Sequence, residues 1–494
     1  MRAPRKKRIR GPSPAVLSAR LIGHVSIEQR AGGDIVARFN GMSLALGQFS
    51  AAAAECARQL KAGLPLAALA SPRKTIDKEL ALLVRRLAAR GLVEFRLAQP
   101  GRGRGRSDHD LVIIEPQAAD YWPRLSPLRE SDTLALSRFA YLRRRAENVV
   151  LESPRARALF RICDPAIAAA SVAFAVPRQI KQHRRAGGLV PIELLALLLD
   201  CGIVFRTRAG ESGLRTAEGD EHLGLWDFHD LLFHARSTEG RHANPLGGTY
   251  LYAETTDPLP AVRPNWPGAK IDLSKIPSPS TEATQPLAQL LRERHSTRDF
   301  DAGQPITLGE LAHFLDSTAR VQSIFTAPAD TDEPALSFAP RPYPSGGGSY
   351  ELELYLAVGA CEGLAGGLYH YDARDHALVA IDARPQDVVM ILRQAQYAMD
   401  AAALPQIVIT ITARFGRVMW KYSSLAYSLI LKDVGVLMQT LYLMAADMGL
   451  GGCAIGSTNI DLFEKVTGIA FHIEGPVGVF ALGRGSSAAA SRSG

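Results

Sequence analysis

Arg294-His295-Ser296-Thr297-Arg298-Asp299-Phe300 opens the more regular half of this 494-residue chain and gathers anion-binding side chains into seven positions. Two guanidiniums four residues apart sit on neighbouring turns of a helix end, where backbone N–H groups and a serine hydroxyl add donors to one dianion. The stretch reads as a phosphate anchor, with His295 beside it. The same residues also describe a capped, solvated helix end, so the choice rests on what lies downstream.

Three further features follow in order. Arg341-Pro342-Tyr343-Pro344-Ser345-Gly346-Gly347-Gly348-Ser349-Tyr350 leads into the alternating strand Glu351-Leu352-Glu353-Leu354-Tyr355-Leu356. Its glycines let backbone approach a flat ring, or simply make a flexible loop. Next, Arg417-Val418-Met419-Trp420-Lys421-Tyr422 precedes a helix expected from about Ser424 to Met448, apolar on nearly all faces and so central and buried. Lys421 and Tyr422 at its threshold suit a proton-transfer pair, or a snorkelling lysine beside a core tyrosine. Last, Gly449-Leu450-Gly451-Gly452-Cys453-Ala454-Ile455-Gly456 is a glycine-rich turn after a helix, which excludes a dinucleotide fingerprint. The strand Pro476 to Arg484 then ends in a cation that could complete the clamp.

Composition bounds these readings. Length predicts two to four domains, and 47% hydrophobic with 21% charged residues describes a globular chain. The net charge of +8 is local, in Arg5-Lys6-Lys7-Arg8 and in Gly101-Arg102-Gly103-Arg104-Gly105-Arg106, and does not by itself imply nucleic acid. Cys56, Cys163, Cys201, Cys361 and Cys453 are scattered and odd in number, which argues for a reducing, cytoplasmic compartment and against disulfides or zinc. Arg10-Gly11-Pro12-Ser13-Pro14 follows the basic start where a signal peptide needs an apolar run. The most apolar segment, Tyr427 to Leu450, carries Lys432, Asp433 and Asp447 and fits a buried helix better than a membrane span.

The first half repeats a pattern. Leu83, Val84 and Leu87 lead into Gly91-Leu92-Val93, and Leu194, Leu195 and Leu198 lead into Gly202-Ile203-Val204 at the same offset. Short β-type stretches, Ile35-Val36-Ala37 and Val149-Val150-Leu151, lie upstream. This layout is that of two winged helices, the first with a wing from Leu92 to Leu97 and from Leu111 to Ile114. Its Gly/Arg loop admits phosphate tracking, a solvated hairpin tip, or a strand edge taking up an extended peptide, and sequence does not choose. His222, His229, His234 and His242 miss the spacing of helical metal ligands, so structural roles are expected. Trp226 to His234 reads as a docking helix between domains, and Pro258 to Pro286, with seven prolines, as an extended strap.

In combination, residues from about Leu287 to Arg484 resemble the FMN-dependent nitroreductase fold. The order of the motifs, with Trp420-Lys421-Tyr422 before Tyr427 and Asp433-Val434-Gly435, is similar to the SagB-type azoline dehydrogenases of thiazole/oxazole-modified peptide biosynthesis. Long members carry tandem winged-helix modules similar to leader-peptide recognition elements, and Phe228 to His234 looks typical of them. The resemblance implies an α+β chain. Its division is a basic tail over 1–19, winged-helix-like modules over 20–120 and 121–252, a proline-rich connector over 253–284, an FMN-binding domain over 285–484, with an antiparallel-rich sheet flanked by helices and a long central helix, and a tail over 485–494.

It further implies that Arg294, His295, Ser296, Arg298 and Arg484 hold FMN, and that Pro344, Ser345 and Gly346 reach it from the other subunit of a homodimer. Gly451 and Gly452 would line the flavin edge, and Lys421 and Tyr422 would be the catalytic pair. No metal, nucleic acid or membrane is implied. Glu351 departs from the pattern, where proline is expected. The implied reaction oxidises thiazoline or oxazoline rings of a precursor peptide to azoles, with Lys421 as base, Tyr422 as relay and hydride passing to flavin N5. A YcaO-type cyclodehydratase is the implied further partner. The competing readings are an NAD(P)H-dependent nitroreductase or quinone reductase of the same fold, a flavin-free peptide scaffold, and a winged-helix regulator.

Overall fold

The computed structural model describes residues 14–30, 33–39, 42–70, 75–101, 108–118, 121–185, 190–207, 218, 220, 223–224, 226–237, 249–277, 285–328 and 334–486. The basic run Arg5–Arg8, loop residues 102–106, His222, His242 and the tail beyond 486 lie outside them. The chain divides into two compact units, 1–244 and 245–494.

In the first unit, helices Thr75–Ala88 and Ile192–Asp200 bury Leu83, Val84, Leu87 and Leu194, Leu195, Leu198. Both are followed by a glycine with positive φ, Gly91 at 66° and Gly202 at 64°, and then by strands Val93–Gln99 and Val204–Thr207. Glycine suits this position because it turns the chain out of the helix without a Cβ penalty. The two segments do not, however, form separate modules, and no winged-helix modules are identified among the described residues. His109–Pro116 pairs with Ala158–Ile162, Ile114 opposite Phe160. This joins Val93–Gln99 of the first segment to Asn148–Glu152, upstream of the second, in one seven-stranded antiparallel sheet; Val204–Thr207 lies in a separate three-stranded sheet, and both segments share one core running from Ala15 to Val204. A strand buried on both sides of such a seam has no solvent face with which to bound a module. The docking helix, Phe228–Arg236, packs on this same unit: Phe228 meets the Tyr141 ring edge-on and Arg236 Nη2 donates to Glu152 Oε2 at 2.6 Å.

The second unit is built on seven antiparallel strands: β1 (Lys270–Asp272), β2 (Leu352–Val358), β3 (Gly367–Asp372), β4 (Ala377–Ile381), β5 (Ile407–Arg414), β6 (Gly451–Ile455) and β7 (Glu474–Gly483), in the order β1-β4-β3-β2-β5-β7-β6. Its helices are α1 (Leu287–Glu293), α2 (Leu308–Ala319), α3 (Pro385–Met399), α4 (Phe415–Met419), α5 (Ala426–Asp447) and α6 (Ile460–Thr467). Strand periodicity sends alternate residues to opposite faces. Leu352, Leu354 and Leu356 with Ile407, Ile409 and Ile411 meet α2 and α5 on one face. Ala357, Val408 and Ala481 meet α3 on the other.

The proline-rich strap belongs to this unit. It contributes β1 at the sheet edge, lays Trp266 edge-on against Tyr355, and accepts hydrogen bonds at the Leu259 and Pro260 carbonyls from Arg417 and Arg414. Helix α5 buries the stripe Ile430, Val434, Leu437, Leu441 and Ala445 at helical spacing. It has the length and apolarity of a membrane span, yet that stripe packs on the sheet. Burial is not all-round: Tyr427, Leu431 and Val436 are each more than a third exposed in this chain.

Candidate functional site

The structure corrects the backbone of the opening cluster. Arg294 is the C-cap of α1, and 294–299 continue beyond it outside any helix, so the cluster sits at a helix C-terminus. The segment is held instead by strand-like contacts. Thr297 N–H donates to the Gly452 carbonyl at 2.8 Å, Asp301 N–H to that of Arg484 at 2.9 Å, and Ser486 N–H to that of Asp299 at 3.1 Å. Arg294, Ser296, Arg298, Gly451, Gly452 and Arg484 are thereby brought together at one end of the sheet.

Tyr442 of α5, unread in the sequence, is the hub of this end. Its hydroxyl accepts from Ala454 N–H at 2.8 Å and lies 2.8 Å from Ser296 Oγ, while the Arg294 guanidinium sits 4.9 Å above its ring. Gln406 is a second unread residue. Its Oε1 accepts from Ile306 and Arg484 N–H, and its Nε2 donates to the Asp301 carbonyl. Gly451 and Gly452 have packing reasons to be glycine, since a Cβ there would collide with Thr297 and with the Phe480 ring. The Arg484 guanidinium is held by Glu310 at 2.7 Å. Arg294 and Arg298 have no carboxylate partner among the described residues, and His295 is exposed. Two uncompensated guanidiniums flanking a hydroxyl fit a phosphate.

A second cluster forms near the start of α5. The Ser345 hydroxyl donates to Asp433 Oδ2 at 3.0 Å, with Glu351 Oε2 at 3.2 Å, and Gly346 N–H donates to Asp433 at 2.9 Å. Gly347, at φ 60°, presses on Tyr422: a Cβ there would collide with the phenol oxygen. Lys421 Nζ lies 5.7 Å from the Tyr250 ring centre and 5.5 Å from that of Tyr422, and its carbonyl accepts from Thr249 N–H at 2.8 Å. Burial, then the Asp433 carboxylate, pushes Glu351 up to about 7. Asp433 is itself raised by burial. Pro344 precedes this turn; Ser345, Gly346, Lys421 and Tyr422 thus share one neighbourhood.

The two clusters do not meet within one chain. Asp433 and Tyr442 are nine residues apart, about 14 Å along α5, and Leu429, which faces Gly346, is about 20 Å from Tyr442. Polar residues in an apolar helix were the signal for Asp433 and Tyr442. A carboxylate beside a glycine turn was the signal for Glu351.

Residues 291–484 match the nitroreductase family, and residues 134–243 match the cyanobactin oxidase ThcOx. A nitroreductase-like protein of Methanocaldococcus jannaschii is 31% identical over 186 residues, covering 38% of this chain and 85% of that protein. The chain belongs to the nitroreductase family. It is therefore an oxidoreductase of an FMN-binding superfamily, with a further region, 134–243, that matches the azoline-oxidising branch. Among solved structures, a nitroreductase-like protein of Ralstonia eutropha is 23% identical, covering 47% of this chain and 97% of that one at a TM-score of 0.33. A chain of the Escherichia coli microcin synthetase McbBCD complex, solved with truncated pro-MccB17 bound, is 19% identical, covering 52% of this chain and 91% of that one at a TM-score of 0.34.

Proposed function

We propose that this nitroreductase-family chain is an FMN-dependent dehydrogenase that oxidises azoline rings in a ribosomally made peptide to azoles. The observation that carries the reading is the joining, in one chain, of a nitroreductase-family unit to a region matching a cyanobactin oxidase. Arg294, Ser296 and Arg298, with His295 and Arg484 beside them, are assigned to hold the FMN phosphate and ribityl chain. Gly451 and Gly452 are assigned to its ring edge. When bound, FMN supplies a two-electron acceptor.

Lys421 removes the ring Cα proton, acidified by the adjacent C=N and carbonyl, and Tyr422 relays it or donates to the substrate. The rings of Tyr250 and Tyr422 confine the amine, and the Gly347 turn seats Tyr422, so the acceptor of the proton is positioned before substrate arrives. The reading includes a homodimer. The exposed apolar residues Tyr427, Leu431 and Val436 of α5 would be covered by a second copy, and the partner's Pro344–Gly346 turn would complete the site that one chain leaves divided. The first unit is assigned to the precursor peptide, and a YcaO-type cyclodehydratase is the expected neighbour in the pathway.

The test is the visible spectrum of the purified protein, followed by mass spectrometry of an azoline-bearing peptide. The expected result is bound flavin and loss of two hydrogens per ring. Lys421→Ala should keep the flavin and lose turnover by at least about 100-fold. Bleaching of the flavin by NADPH without action on the peptide would replace the proposal with a nitroreductase or quinone reductase reading. Colourless protein that still binds the peptide would leave a scaffold.

A further inference from the structure

Glu351 and Asp433 form a buried carboxyl pair beneath the turn that seats Tyr422, and the mechanism above uses neither. Glu351 is fully buried and Asp433 is 6% exposed. The two carboxyl groups face one hydroxyl: Ser345 Oγ lies 3.0 Å from Asp433 Oδ2 and 3.2 Å from Glu351 Oε2, and its single hydrogen serves only one of them, so a proton on one carboxyl relieves the like charge. Glu351 Oε1 accepts no N–H or O–H from the described residues, as befits an oxygen that carries that proton itself.

The pair also holds the turn. Asp433 accepts from Gly346 N–H and Ser345 Oγ, and Ser345 Oγ in turn accepts from Tyr350 N–H at 2.9 Å. The backbone it holds is strained, because Tyr350, a non-glycine residue, lies at φ 46° directly before Glu351. A proline at 351 would drive residue 350 toward extended backbone. Glutamate permits the left-handed turn and brings the carboxyl that pins it. Because Gly347 touches Tyr422, whatever loosens the turn unseats that phenol.

We propose that Glu351 and Asp433 are positioning residues that share one proton, and that loss of this proton releases the Ser345–Tyr350 turn from Tyr422. With one proton, Asp433 remains a full acceptor for the turn and the pair carries one negative charge. Without it, two like charges face each other in a buried site and separate. The other charged or titratable groups facing the pair are Tyr343 on the preceding loop, Arg417 on α4 and Lys432 on α5. Arg414, ending β5, donates its N–H to the Glu351 carbonyl. Burial, with the Asp433 carboxylate nearby, raises Glu351 to about 7, which places the release near neutrality.

The consequence for catalysis rests on the azoline-dehydrogenase reading; the latch itself does not. Hydrogen exchange at the Gly346 to Tyr350 amides of the full-length protein, measured at pH 6 and pH 8 and corrected for intrinsic rates, tests the latch. Wild type should lose about tenfold in protection between the two, and Glu351→Gln, whose amide keeps a proton in place, should lose none. Should Glu351→Gln not fold, Asp433→Asn must likewise remove the pH dependence. Flat protection in wild type, or an unchanged pH dependence in both variants, overturns the proposal. On an azoline peptide, the alkaline fall in kcat should vanish in Glu351→Gln. If the exchange result is as expected but no peptide is oxidised, the latch stands and the substrate reading falls.

Discussion

Replacing Tyr442 by phenylalanine removes one oxygen and leaves the ring in place, edge-on to Phe480 with centres 5.0 Å apart and beneath the Arg294 guanidinium. What is lost is the acceptor of Ala454 N–H and the partner of Ser296 Oγ, two contacts at 2.8 Å. At about 1 kcal/mol net for each hydrogen bond, the second unit should lose about 2 kcal/mol. In a unit of this size that corresponds to a fall of roughly 4–8 °C in Tm. The Ser296 contact should appear separately in cofactor affinity. If the hydroxyl fixes the serine, about 1 kcal/mol of preorganisation is lost, which is roughly a fivefold rise in the FMN Kd. Thermal unfolding of the apoprotein and quenching of flavin fluorescence on binding measure the two effects. An unchanged Tm together with an FMN Kd within twofold of wild type would refute the assignment of Tyr442 as the hub.

Two further outcomes follow from the same unit. Gly347→Ala places a methyl against the Tyr422 oxygen on a backbone at φ 60°, so turnover should fall by about tenfold or more while bound flavin is retained, read from absorbance and peptide mass in one sample. Glu353 is fully buried. Burial would raise its pKa, but the His370 hydrogen bond at 3.1 Å and the Arg341 and Arg414 guanidiniums bring it down to about 2. A depressed carboxylate stabilises the fold above its unfolded value near 4.5 and loses that contribution as pH falls toward 2. That contribution is about 3 kcal/mol. Urea midpoints between pH 7 and pH 3 should therefore drop in wild type, and Glu353→Gln should be less stable at pH 7 and flatter across the range.

Helix α5 was legible from its apolar run: expected from Ser424 to Met448, it spans Ala426–Asp447. Its partly exposed second face was not, because hydropathy cannot say whether an apolar surface meets its own chain or another. The anchor residues were legible as a cluster but not in their backbone. What holds 294–299 in place is Thr297 pairing with Gly452, a contact 155 positions away that no local propensity encodes. The repeat in the first half was visible in its leucines, whereas the sheet that joins Val93–Gln99 to Asn148–Glu152 depends on the long-range pairing of Ile114 with Phe160. The strand Glu351 to Leu356 was legible from its alternation, but the burial of both its faces was not. Glu353 and Tyr355 are both buried, since His370, Arg341 and Arg414 meet the carboxylate while Trp266 and Glu474 meet the phenol.

That strap separates two kinds of boundary. Similarity to the nitroreductase family begins at 291, but the folding unit begins at 245, some forty-six residues earlier. A chain shortened to the region of family similarity would strip β1 from the sheet edge, lift Trp266 from Tyr355 and His370, and remove the carbonyls that satisfy Arg414 and Arg417. It would open a nest of buried charge to solvent along an unprotected strand, a surface prone to edge-to-edge aggregation. In this protein the kinship of the sequence and the integrity of the fold start at different residues, and only the second is a safe place to cut.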